Sequence, residues 1–112
     1  MDLTIERHDD ILSVGVKGRL DWSNSEAFRD AIGDTIEDTD RAVIMDFGEL
    51  DFIGSSGLRV VLVTARSLVE RDATLLLCGL SDPVREVFRV TGFERLFPIH
   101  ETLAEARASL GA

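Results

Sequence analysis

The stretch "VIMDFGELDFIGSSGLRVVLVTARSL", residues 43–68, carries the change of period that decides the fold. Ahead of it, "RAVIMDFG" (Arg41–Gly48) is β-rich and almost continuously apolar, as a strand covered on both faces must be, and it predicts a central strand. From Ser55 onward, Leu58, Val61, Leu62, Ala65, Leu68 and Val69 recur at helical spacing, with Val60 and Val63 widening the face, which predicts a heavily buried helix. Between the two runs lies "GSSG", Gly54 to Gly57. A single serine there is accounted for by helix capping, in which a hydroxyl satisfies an orphan N–H and stabilises by about 1 kcal/mol. The same junction also offers several free N–H groups and roughly half a positive charge from the helix dipole, an environment that favours an anion. Phosphorylation of Ser55 would add about −1.5 to −2 charges and stay compatible with the helix behind it. Gly54 and Gly57 would let another protein's active site approach the backbone closely. Local chemistry leaves both readings open.

Outward from this segment the chain punctuates itself clearly. "LTIERH" and "ILSVGVKG" alternate apolar and polar residues as half-buried strands, with His8 to Asp10 as the hairpin turn between them. "GRLD", Gly18 to Asp21, continues the second strand or begins a short edge strand. Phe28, Ala31, Ile32, Thr35 and Ile36 mark a helix face, opened by a Ser23 and Glu26 capping box. "ATLLLCGL" predicts a further apolar strand over 73–80, followed by a helix with Ser81 or Asp82 as N-cap, Pro83 in its first turn and Gly92 as its stop. Pro98 suits "LFPIH" to a sheet edge, and Thr102 with Glu105 opens a last helix whose Leu103, Ala106 and Leu110 face inward. The expected fold is therefore α/β: one domain over residues 1–112, a mixed sheet with a parallel centre and an antiparallel edge, and about four helices packed on it.

Composition narrows the function classes. With 112 residues, 45% hydrophobic and 29% charged, and a mean hydropathy of +0.09, the chain can bury a single core without staples. Its formal charge of −9, with no cluster of Lys or Arg, disfavours direct binding to nucleic acid or to anionic membranes. No apolar run approaches the roughly 20 residues of a bilayer span, so membrane insertion is not expected. The N-terminus begins acidic and lacks a secretory pattern, so a cytoplasmic location is expected. Cys78 is the only cysteine and sits in "LLLCGL", which reads as a buried, inert thiol.

Enzymatic chemistry finds no constellation here. His8 and His100 have no metal-ligand spacing with Cys78 or with an acidic pair, so neither a metal nor another cofactor is expected. "GSSG" is not a GxSxG nucleophile elbow, no GxxxxGK[ST] phosphate loop is present, and acidic pairs such as Asp9 and Asp10 or Glu49 and Asp51 lack calcium-loop spacing. A serine nucleophile without a neighbouring base is a poor one. These residues carry no enzyme reading.

The central segment resembles that of STAS domains, in particular bacterial anti-sigma factor antagonists, in which a strand, an "L-x-F-x-D-S-[ST]-G-L" turn and a helix hold a phosphorylatable serine. The resemblance covers nearly the whole chain: "VKGRLDWSNSEAF" is similar to the family's "hxGELDhxxAxxL", where h is apolar, and "LLLCGLSDPVREVFRVTGFERLFPIHETLAEA" to its later strand, helix, strand and final helix. It implies that Ser55 is the phosphoacceptor, with Ser56 as a supporting or capping hydroxyl and the alternative acceptor. The family's aspartate before the serine is replaced by Gly54. Asp21 matches the acidic residue of "GELD", where it either touches the partner or serves as a turn or cap residue. The resemblance further implies two partners, an anti-sigma factor that is also a serine kinase and a serine phosphatase, and it leaves room for a weak homodimer. Asp21, Gly54, Ser55, Ser56, Gly57, Arg59 and Arg66 would form the contact surface. Gly54 in place of aspartate also supports an alternative, a phosphorylation-independent STAS binding subunit of a transport-associated or sensory assembly.

Overall fold

A computed structural model describes all residues 1–112. The chain runs β1 (Asp2–His8), β2 (Ile11–Leu20), α1 (Ser25–Thr35), β3 (Ala42–Ile53), α2 (Ser55–Val69), β4 (Thr74–Cys78), α3 (Asp82–Val90), a single 3₁₀ turn (Phe93–Arg95), β5 (Ile99–His100) and α4 (Leu103–Ser109). The five strands lie in the order β1-β2-β3-β4-β5. The β1–β2 pair is antiparallel and the other pairs are parallel, so the expected mixed sheet forms. "GRLD" continues β2 as far as Leu20 rather than starting a new strand.

Side-chain parity along the strands builds two cores. Leu12, Val14 and Val16 of β2, Val43, Met45 and Phe47 of β3, and Leu75 and Leu77 of β4 join the larger cluster with Phe28, Ile32, Val61, Leu68, Val84 and Phe88 of α1, α2 and α3. The alternate residues Ile11, Ala42, Ile44, Leu76 and Cys78 meet Ala106 of α4 on the other face, flanked by Leu103 and Leu110. That double covering explains the continuous apolar run in β3.

Three local readings are corrected and one is refined. Strand β3 does not stop at Gly48 but continues to Ile53, because two register shifts against β2, between Gly15 and Lys17 and between Gly18 and Arg19, insert extra residues. Those shifts break the period-2 pattern that marks a strand in sequence, leaving Leu50 and Ile53 as its buried members. The Ser23–Glu26 capping box does not form. Asn24 is the N-cap of α1 and makes no side-chain cap bond. Its side chain turns back instead, Oδ1 accepting from the Asp21 N–H and Nδ2 donating to the Arg19 carbonyl. The inner face of α2 is also rotated from expectation: Gly57, Leu58, Val60, Val61, Thr64 and Leu68 are buried. Leu62 and Ala65 are half-buried and Val69 is 66% exposed. Finally, Ser81 is the N-cap of α3, but its hydroxyl donates to the Leu50 carbonyl at 3.4 Å rather than capping.

Candidate functional site

The joint before α2 is fixed by backbone and by close packing. Ile53 ends β3 opposite Leu20, and the next N–H, that of Gly54, donates to the Leu20 carbonyl at 2.9 Å. Gly54 is the N-cap of α2 in extended geometry, with φ −96° and ψ 178°. No side chain caps this helix, so neither serine fills the capping role: they occupy its first two positions. The first helical bond runs from the Leu58 N–H to the Gly54 carbonyl at 3.0 Å. The amides of Ser55, Ser56 and Gly57 precede it and have no acceptor within the helix. Ser55 is exposed, Ser56 half-buried and Gly57 buried.

The glycines have different reasons to be there. A Cβ on Gly57 would lie 2.8 Å from Leu20 Cγ and 3.0 Å from Ile53 Cγ1, well inside contact distance. The first turn of α2 therefore rests directly on the ends of β2 and β3. A Cβ on Gly54 would meet Phe52 at 3.4 Å and the Asp21 backbone at 3.9 Å, which is ordinary contact. Gly54 is not required by space or by backbone conformation.

Asp21 lies beside this joint and is committed locally. Its Oδ1 accepts from the Ser23 hydroxyl at 2.6 Å and from the Ser23 N–H at 3.0 Å, and Oδ2 stands 3.7 Å from the Arg19 guanidinium. The hydrogen bonds from Ser23, with the charge of Arg19, hold its carboxyl below the usual range. The turn role expected for Asp21 is present in this geometry. Next to it Trp22, the only tryptophan, is 85% exposed. Arg19 stacks 4.3 Å above the Phe52 ring.

A groove of about 440 Å³ runs from Ser55 along α2, lined by Leu58, Arg59, Leu62, Val63 and Arg66 and walled on its far side by Thr91 and Phe93. The far wall is set by α3: Gly92, at φ +79°, turns the chain out of the helix. Phe93 then packs on Phe88 and Phe97 with ring centroids 6.4 and 6.3 Å away. Of the twelve cationic side chains, Arg59, Arg66 and Arg95 alone hold neither a carboxylate nor a backbone carbonyl. Two of these three line the groove, so an acidic protein presents most of its uncommitted positive charge along the groove that Ser55 opens. Three of the predicted residues, Ser55, Arg59 and Arg66, thus share one surface. Gly54 and Asp21 stand at its N-terminal end, and Gly57 lies beneath it. Thr91 and Phe93 carry no local signal of membership, being 36 and 38 residues beyond Ser55.

Cys78 is fully buried, as read from sequence. Burial first, then the neighbouring Asp46 carboxylate, pushes its thiol up to about 12.

The STAS domain family pattern matches residues 2–106. A relative from Bordetella bronchiseptica, BtrV, which bears the name of an anti-sigma factor antagonist, is 36% identical over 97% of this chain and 94% of its own length. The crystal structure of an anti-sigma factor antagonist from Mycobacterium paratuberculosis superposes with a TM-score of 0.89 at 26% identity, over 99% of this chain and 94% of that one. The phosphorylated form of the Bacillus cell fate determinant SpoIIAA gives 0.75 at 25% identity, over 97% of this chain and 99% of that one. With its sheet order, its β3–GSSG–α2 joint and this match over nearly its full length, the chain belongs to the STAS domain family.

Proposed function

We propose that this protein is an anti-sigma factor antagonist. Unmodified, it binds an anti-sigma factor that is also a serine kinase, and so releases a sigma factor. Phosphorylation of Ser55 by that kinase ends the binding, and a serine phosphatase restores it. One observation carries the reading: an exposed serine whose hydroxyl bonds to no protein group opens α2, in a groove holding two uncommitted arginines. The names of the relatives supply the partner class, and the phosphorylated form of SpoIIAA supplies a precedent for modification on this fold. Trp22 and the apolar groove residues give a partner an anchor, while Arg59 and Arg66 meet its acidic groups. A phosphate at Ser55 opposes binding by charge and by the cost of desolvating it in an interface. The chain itself performs no chemistry in this scheme.

The test is incubation with candidate kinase and ATP, followed by mass spectrometry of wild type, Ser55→Ala and Ser56→Ala. Loss of incorporation in Ser55→Ala alone is expected. Undiminished incorporation there would move the site to Ser56 or elsewhere. The second reading, a binding subunit that works without phosphorylation, is favoured by Gly54, which leaves no carboxylate before the serine to orient it. It predicts no incorporation in any of the three proteins, together with partner capture that survives Ser55→Glu.

A further inference from the structure

The geometry points to Arg59 as the holder of a phosphate carried by Ser55: the modified side chain and the guanidinium four residues on would close over the N-terminal end of the groove. Phosphorylation then withdraws a cation from the docking surface as well as adding negative charge to it. This inference rests on the Ser55 reading above and specifies how the modification acts.

Ser55 and Arg59 line the same groove. Residues four apart on a helix are neighbours, with Cβ atoms about 5–6 Å apart, and the acidic member placed N-terminal to the basic one is the favourable order. Arg59 is exposed and holds no carboxylate or carbonyl, so no existing bond must break for it to turn. No acidic side chain lines the groove to compete for it. Asp21, whose backbone adjoins Gly54, is occupied by Ser23 and Arg19. A guanidinium can grip two phosphate oxygens at once through charge-assisted bonds, which an ammonium cannot match in geometry. Arg66 lies eleven residues from Ser55, about 16 Å along the axis, too far to share the phosphate, so it stays available to a partner. Ser56, the alternative acceptor, is half-buried and is not among the residues that line this groove.

The inference is tested without any kinase, by installing phosphoserine at position 55 during synthesis of the full chain and following its ³¹P resonance through a pH titration at low ionic strength. The second ionisation of phosphoserine lies near 6 in the absence of partners. In the wild-type background it should sit lower than in Arg59→Gln by about 0.2–0.4 pH unit. Arg59→Lys should recover part of that difference, and Arg66→Gln should leave the value unchanged. Equal values in wild type and Arg59→Gln, or an equal shift in Arg66→Gln, would overturn the assignment. Because the phosphate is installed chemically, failure here is separate from failure of Ser55 as a kinase substrate.

Discussion

Replacing Gly57 by alanine should destabilise the protein and move the candidate site, although alanine is the better helix former. The new Cβ would stand 2.8 and 3.0 Å from two atoms of Leu20 and 3.0 Å from Ile53, both side chains fully buried. Ordinary carbon contacts lie at about 3.5–4.0 Å, so either Leu20 leaves its rotamer or the first turn of α2 lifts by about 1 Å. Overpacking of this kind costs about 1–3 kcal/mol. Against it stands a helix gain of about 0.5–1 kcal/mol for alanine over glycine, smaller in a first turn. The net expectation is a loss of about 1–2 kcal/mol, or about 5–10 °C in Tm for a domain of this size. Urea and thermal unfolding followed by circular dichroism would measure it. A second background isolates the cause: in Leu20→Ala both Leu20 atoms are gone and only the 3.0 Å approach to Ile53 Cγ1 remains, so adding Gly57→Ala should cost clearly less than in the wild-type background. If Gly57→Ala loses the same stability in both backgrounds, or loses none in the first, the close approach of α2 to β2 is not what selects glycine here.

Two further outcomes follow from the same geometry. Gly54→Asp places at the N-cap the carboxylate that the family pattern carries, in a space that accepts a Cβ, and should stabilise α2 by about 0.5 kcal/mol through capping and the helix dipole. A Tm rise of about 2–4 °C in thermal unfolding is expected, and a fall would mean that the joint does not admit the side chain. Asp40, buried between α1 and β3, accepts two 2.8 Å bonds from the Arg7 guanidinium and one from the Glu37 N–H. The Arg7 hydrogen bonds above all hold its carboxyl below the ordinary range. A depressed carboxyl stabilises the fold fully above its unfolded value near 4 and loses that contribution as pH falls through the folded value. Unfolding free energy should therefore drop as pH falls below about 4. Asp40→Asn should show a flatter slope there and lie about 2 kcal/mol lower at neutral pH, since Arg7 is partly exposed and can rehydrate. An unchanged slope in urea titrations across that range would remove Asp40 from the account.

The order of strands and helices was legible in the sequence because periodicity is a local property. The double covering of β3 is written in its unbroken apolar run, and the turn at Asp9 and the stop at Gly92 in short-range residue chemistry, with positive φ at both. The junction at Gly54–Gly57 stood out in sequence as well, and its resemblance to the STAS pattern singled out Ser55. Several features depended on partners distant along the chain. The bulges that carry β3 to Ile53 exist only in its pairing with β2. The same distance hid the Arg7–Asp40 pair, whose members are 33 residues apart, and the collision that makes Gly57 necessary, which involves Leu20. Asn24 displaced Ser23 as the start of α1 because its side chain was drawn to the end of β2. The sequence by itself thus determined the element order and the small-residue joint. The tertiary fold alone decided what surrounds the joint, since Thr91 and Phe93 reach α2 only after α3 has packed on the sheet. It also decided which arginines stay uncommitted, because pairing of charges depends on distances that no local pattern records.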